Sequence, residues 1–232
     1  NVEMLEELGV EAPTSWEDLL DPAFESNISM AHPATSGTAF TSFWTNVTLA
    51  ADMLEADEDD ETMGYDEEGF PTEAAYDLAF EYFGELHPNM LQYNRSGSAA
   101  GGMAGRGEIA VAIIFSHDCV KLQVEGYEGI VINTFPEEGT GYEIGGMGIL
   151  KNAPEMEAAK MWYDWALTAE AQAIGATVNS LQVPTNPDTP VPELAINMDD
   201  VNLVIYNFTA AGMNRTEMVE RFDEDVAPIP TD

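Results

Sequence analysis

Between residues 27 and 54 a short β-prone stretch passes through Pro33-Ala34-Thr35-Ser36-Gly37-Thr38 into a long helical run carrying Phe40, Phe43, Trp44, Val47 and Leu54. A strand that enters a helix through a turn of small residues restricts the chain to α/β architectures. The flanking pattern agrees. Residues 2–8 form a short amphipathic helix stopped by Gly9, and residues 13–20 begin with capping residues and end before Asp21-Pro22. Residues 73–86 repeat apolar positions at helical spacing. A buried parallel sheet is expected from residues 109–115, 129–135 and 142–150, the last rich in glycine, with a helix over 117–124 between the first two. Consecutive helices follow over 154–167 and 168–175, then a Pro-rich loop at 184–192 and an amphipathic helix over 214–226.

The chain has 232 residues, with 43 Asp and Glu against 7 Lys and Arg, a formal net charge of −36. Phosphate-binding surfaces need clustered Lys and Arg, so nucleic acid and anionic membranes are excluded as partners. At low ionic strength such a charge strains any compact state. In molar salt the Debye length falls to about 3 Å and the repulsion is screened. With lysine reduced to Lys121, Lys151 and Lys160 and acids spread along the chain, the composition fits a protein adapted to brine. Cys119 is the one cysteine, so neither an intrachain disulfide nor a cysteine metal site is expected. No apolar run reaches the ~18–20 residues that span a bilayer. The first residue is not Met and no signal-like stretch opens the chain, which therefore reads as a mature or truncated piece.

Two segments have anion-binding chemistry. In Thr35-Ser36-Gly37-Thr38 the turn puts backbone N–H groups and hydroxyls at a helix N-terminus, where the macrodipole favours negative charge. An isolated turn of this kind is also a plain helix cap. Ser96-Gly97-Ser98 repeats the pattern beside Arg95, one of four arginines. At the end of the apolar run come Ser116, His117, Asp118 and Cys119, where strand C-termini of α/β folds face ligand. A Cys119–His117 nucleophilic pair lacks an oxyanion-hole signature. Tyr142 and Glu143 can receive a cationic amine, while Glu137 and Glu138 suit a solvated turn. The acidic run 57–61 lacks the glycine and glutamate positions of a calcium loop, and three scattered histidines give a transition metal no support. Glycosylation sequons at Asn27, Asn46, Asn94, Asn207 and Asn214 favour an exported protein.

Taken in order, residues 13–22 (PTSWEDLLDP), 28–40 (ISMAHPATSGTAF), 93–100 (YNRSGSAA), 107–115 (GEIAVAIIF), 135–149 (FPEEGTGYEIGGMGI) and 158–172 (AAKMWYDWALTAEAQ) resemble the extracellular solute-binding proteins of ABC importers. The resemblance is to the type 2 periplasmic-binding-protein group of ferric-iron and 2-aminoethylphosphonate binders. It implies two α/β lobes that close on a ligand by hinge motion, with residues 1–186 in a lobe with hinge strands and 187–232 packing on it. Family chains carry about a hundred further residues before the point matching Asn1, after a signal peptide or lipid anchor. The resemblance further implies a non-catalytic, monomeric, extracytoplasmic protein without cofactor that hands a small anionic or zwitterionic solute to a membrane permease. Ferric binders carry adjacent tyrosines where this chain reads Phe115-Ser116-His117-Asp118, which lowers iron relative to an organophosphonate. On that footing Ser36, Gly37, Thr38, Ser96 and Ser98 form the anion cradle, and His117, Asp118 and Glu143 meet the other end, with Asp118 or Glu143 taking an amine. The rival expectations are a metal–anion receptor using His117 and carboxylates, and a hydrolase built on Ser36 or on Cys119 with His117.

Overall fold

The structure is a computed structural model describing residues 1–56 and 62–231. The acidic run 57–61, weighed above as a calcium loop, lies outside the described residues. Helix α1 (Val2–Leu8) ends at Gly9, whose φ of 72° is the left-handed conformation that closes a helix without strain only for glycine. A 3-10 turn at Glu17–Leu20 follows, its start held by Asp18 accepting from the Thr14 and Ser15 amides at 2.8 and 3.0 Å. Strand β1 (Ile28–Ala31) is buried at all four positions. It is the centre of a three-stranded parallel sheet, flanked by β2 (Met90–Asn94) and β3 (Val111–Ile113). Ile28 lies opposite both Met90 and Val111.

The sheet is smaller and differently built than the sequence suggests. Residues 129–135 and 142–150 join none of these strands; they make only isolated bridges, Glu128 with Val131 and, just before the second run, Thr140 with Leu203. A run such as Ile130-Val131-Ile132 needs an open strand edge to become a strand. Here Val131 instead drops into a satellite cluster with Met103, Ile109 and Cys119. The glycines of 145–148 do not mediate close packing either: a Cβ at Gly145, Gly146 or Gly148 would meet open space. The sheet position they were expected to fill is taken by β2.

Helices α2 (Gly37–Ala56) and α3 (Glu73–Leu86) build the core over the sheet. Phe43 and Phe83 sit 5.5 Å apart, and Phe222 from the last long helix approaches Phe83 at 5.6 Å and Phe43 at 5.9 Å. Buried α2 also carries polar residues, three of which bond back to carbonyls of the same helix. Thr45 Oγ1 donates to Thr41 O at 2.7 Å, Thr48 Oγ1 to Trp44 O at 3.0 Å and Asn46 Nδ2 to Ser42 O at 3.0 Å. The sequon at Asn46 therefore sits inside a buried helix with its amide engaged.

After β2 come α4 (Ala99–Gly105), β3 and α5 (Ser116–Leu122), the last continuing into a π-turn over Gln123–Tyr127. Helices α6 (Met156–Ala166) and α7 (Ala169–Thr177) bury no residue and leave Met161 74% and Trp162 61% exposed. Helix α8 (Phe208–Asp225) begins six residues earlier than its apolar spacing suggests, because Asn207 caps it: Oδ1 accepts from the Ala210 amide at 3.0 Å. The Asn207→Ala variant is expected to lose about 1 kcal/mol of stability, the usual worth of such a cap. A lowered urea midpoint at unchanged slope checks it, and an unmoved midpoint rejects the cap.

Candidate functional site

The two hydroxyl-bearing turns occupy adjacent positions because β1 and β2 pair in parallel. Both strands then end on the same side, Ala31 beside Asn94, and each feeds a turn that opens a helix. The turns touch. A Cβ on Gly97 would lie 2.5 Å from Thr38 Oγ1 and 2.8 Å from Ser36 Oγ, so both hydroxyls of the first turn are directed at the second. Only glycine leaves room there. Ser36 and Thr38 are buried, and the Phe40 amide donates to Ser36 O at 3.1 Å as α2 begins. Ser96 and Ser98 are exposed with their hydroxyls 3.5 Å apart. Thr35 turns away: its Oγ1 donates to His32 O at 3.2 Å. Arg95 also turns away, donating through Nη1 to Pro230 O at 2.8 Å.

Glu143 joins this cradle. Its Oε1 lies 2.9 Å from where a Cβ on Gly37 would stand, which sets a carboxylate against the first turn of α2. That is where a helix favours negative charge. Its loop is held close by Gly141, where a Cβ would collide with Thr45 Oγ1 and lie 3.0 Å from Thr41 Cγ2. Tyr142 packs beside it, edge-on to Phe208 at 5.5 Å. Tyr206, in the same region, has its phenol pushed up to about 12, chiefly by burial and further by the Glu143 charge, against the opposing pull of a Thr41 hydrogen bond and of Arg215.

Sequence reasoning passed over Arg215. Its guanidinium lies 4.4 Å from the Phe40 ring centroid and Nη2 is 3.4 Å from Pro33 O, so it brings positive charge to the entrance of the first turn. Its rarity among four arginines was the available signal, but its place is tertiary: it comes from α8, far along the chain.

A cavity of about 840 Å³ opens beside the cradle and is lined by His117, Tyr142 and Glu143 together with Ser42 of α2. Glu143 thus borders both cradle and cavity. At the first turn of α5, His117 stacks on Phe115 at 5.5 Å; its Nε2 lies 3.8 Å from Asp118 Oδ1 and 3.4 Å from Gln182 Nε2. Gln182 is a second neighbour that spacing alone did not indicate. Glu137 and Glu138 are exposed, as a solvated turn requires, and Glu138 Oε1 also accepts from the Trp16 amide at 3.1 Å.

Nucleophilic chemistry finds no support in this arrangement. Cys119 is buried, its thiol pushed up by that burial against a weaker opposing pull from the N-terminal ammonium, and Sγ points to Ile132 O at 3.6 Å. A raised thiol is the reverse of an activated one. His32, the histidine nearest Ser36 in sequence, has both ring nitrogens engaged elsewhere. Among the described residues no group of three His, Cys, Asp or Glu is placed to hold a metal ion. Among them, too, no helix is long and apolar enough to cross a membrane.

The chain as a whole is similar to a family of known proteins. Residues 1–173 match the bacterial extracellular solute-binding proteins. An uncharacterized protein of Haemophilus influenzae is 33% identical over 230 residues, covering 97% of this chain and 59% of its own. Among solved structures, the periplasmic binding protein AfuA of Actinobacillus pleuropneumoniae, with exogenous fructose 6-phosphate bound, is 32% identical with a TM-score of 0.79, over 97% of this chain and 64% of that one. The periplasmic binding protein P5PA is 28% identical at the same TM-score, over 97% and 64%. The ferric binding protein of Campylobacter jejuni, 17% identical with a TM-score of 0.63 over 93% and 65%, shares the fold. The chain spans less than two thirds of the length of these relatives. It belongs to the bacterial extracellular solute-binding protein family and has the type 2 periplasmic-binding-protein fold.

Proposed function

We propose that this chain is the ligand-holding part of the extracytoplasmic solute-binding component of an ABC importer, and that its solute is a small molecule with a phosphoryl or phosphonyl group at one end and hydrogen-bond donors at the other. The observation that carries the reading is the meeting of the two turns at Gly97, with Glu143 beside Gly37. Ser36, Gly37, Thr38, Gly97 and Ser98 supply N–H and O–H donors to the tetrahedral anion, replacing its hydration in a partly buried setting. Arg215 adds positive charge behind the first turn. Glu143 repels a bare anion and accepts from a solute that brings a hydroxyl or ammonium group near it. His117 and Gln182, which line the cavity, meet the far end, with Asp118 Oδ1 3.8 Å from the His117 ring nitrogen. The fructose 6-phosphate held by the Actinobacillus pleuropneumoniae relative weighs the reading toward phosphorylated polyols over 2-aminoethylphosphonate. A permease in the membrane receives the solute.

The test is a thermal-shift panel in molar KCl with fructose 6-phosphate, 2-aminoethylphosphonate, inorganic phosphate, sulfate, spermidine and ferric citrate. A solute at 100 times its Kd adds about 2.7 kcal/mol to the folded state, which raises the melting temperature by roughly 5–10 °C. Shifts with the phosphoryl compounds support the reading; a shift confined to spermidine or ferric citrate overturns it. The role of Glu143 has its own check. Glu143→Gln is expected to tighten sulfate and weaken fructose 6-phosphate, moving the ratio of their affinities by about tenfold, the scale of one charged hydrogen bond. Titration calorimetry reads that ratio, and an unmoved ratio removes Glu143 from the site.

A further inference from the structure

His32 is fully buried at the end of β1 and touches three segments at once. Its amide donates to Asn94 O at 2.8 Å, carrying the β1–β2 pairing up to the start of the second turn. Its carbonyl accepts from the Thr35 and Ser36 amides at 3.0 and 3.1 Å and from Thr35 Oγ1 at 3.2 Å. Nδ1 accepts from the Ala34 amide at 3.1 Å, and Nε2 lies 2.9 Å from Ala227 O. An amide can only donate and a carbonyl can only accept. The two partners therefore fix one neutral tautomer, with hydrogen on Nε2. Tyr93 and Phe222 stand edge-on to the ring at 6.1 and 5.1 Å and leave it one orientation.

The segment that follows α8 is thereby tied to both turns of the cradle. Ala227 O reaches the first through His32, and Pro230 O accepts from Arg95 Nη1, whose residue directly precedes Ser96. Between them the Ile229 amide donates to Asp223 Oδ1 at 2.5 Å, which holds the segment against its own helix. We infer that His32 is a positioning residue and that residues 227–230 are a strap. Together they hold the two turns in the arrangement that receives the solute's anion, although neither is expected to touch it. The inference rests on the proposed phosphoryl reading for its consequence in affinity, but not for its consequence in the empty protein.

Amide hydrogen exchange of the unliganded full chain tests the second consequence. In His32→Phe, which keeps an aromatic ring and removes both hydrogen bonds, the amides of Ser36, bonded to His32 O at 3.1 Å, and of Ala99, bonded to Ser96 O at 3.2 Å across the second turn, are expected to exchange at least tenfold faster. Arg95→Met, which frees the strap at its other end, is expected to do the same for Ala99. Because both act through one segment, the double variant should show less than the product of the single effects. His32→Asn, which retains an acceptor near the Nδ1 position, should restore Ser36 toward the original rate. Fructose 6-phosphate affinity, read by calorimetry on the folded variants, should fall about tenfold in His32→Phe, the scale of one lost hydrogen bond. A histidine that merely fills the core would lower the melting temperature while leaving exchange at Ser36 and Ala99 unchanged, and that result overturns the inference. Should His32→Phe fail to fold, Arg95→Met decides the question at the strap's other end, where faster exchange at Ala99 supports the inference and an unmoved rate overturns it. Faster exchange in the variants of a chain that binds no phosphoryl compound would support the positioning role and overturn the solute reading instead.

Discussion

Gly97→Val is expected to abolish solute capture while leaving a folded protein. Even the first carbon of the new side chain would fall 2.5 Å from Thr38 Oγ1 and 2.8 Å from Ser36 Oγ, well inside contact distance. The two hydroxyls cannot retreat far: Ser36 and Thr38 are buried, one just before a twenty-residue helix and the other in its first turn. The substituted turn must therefore swing away from α2, and the cradle opens. Gly97 itself is half-buried, lies outside the sheet and is not a member of the hydrophobic clusters, so stability should change little. Loss of two hydrogen bonds to a charged group, each worth about 1.5–3 kcal/mol, corresponds to at least a hundredfold rise in Kd. Calorimetry with the best solute from the thermal-shift panel measures it, and circular dichroism confirms the fold. Binding within threefold of the parent would show that the two turns do not act on one ligand, and the proposed cradle would fall with it.

What the sequence disclosed about this site follows from which interactions are local. The Ser36-Gly37-Thr38 turn was legible because capping groups, glycine and a helical apolar period all lie within a few residues of one another. The same holds for α3, whose bounds agree with its spacing. Strand β2 was not legible. It is five residues long, half-exposed and wedged between Pro88 and a polar turn, and only the β1 edge makes it a strand. The converse error has the same origin. Residues 129–135 have the composition of a strand but pair with no strand of the sheet; Val131 and Ile130 pack into a satellite cluster while Ile132 stays exposed.

The meeting of the turns, the approach of Glu143 to Gly37 and the arrival of Arg215 at Pro33 are all long-range, and residue types alone could nominate members but not pair them. Asn207 was read as a sequon and is a helix cap. His32 attracted no attention because a histidine before a turn has no local pattern to violate.

Salt should alter this protein more than any single substitution. With 43 acidic and 7 basic residues, carboxylates outnumber the cations available to pair with them roughly sixfold. The cations are thinly shared: Arg221 alone serves Glu73, Asp77 and Asp225, at 3.2, 2.6 and 3.2 Å. Most of the remaining charge is uncompensated and exposed, and unfolding relieves its mutual repulsion by moving it apart. Raising KCl from 0.05 M to 2 M contracts the Debye length to below about 3 Å and removes most of that drive. A relief on the order of 5 kcal/mol would raise the melting temperature by roughly 10–20 °C for a chain of this size. The gain should appear between 0.05 and 1 M and then flatten, since screening saturates once the Debye length is shorter than the spacing of surface charges. It should be matched by other salts of equal ionic strength and not by sucrose, which stabilises through exclusion and carries no charge. A melting temperature that moves less than about 3 °C over this range would show that the acidic surface does not govern stability, and would end the brine reading of the composition.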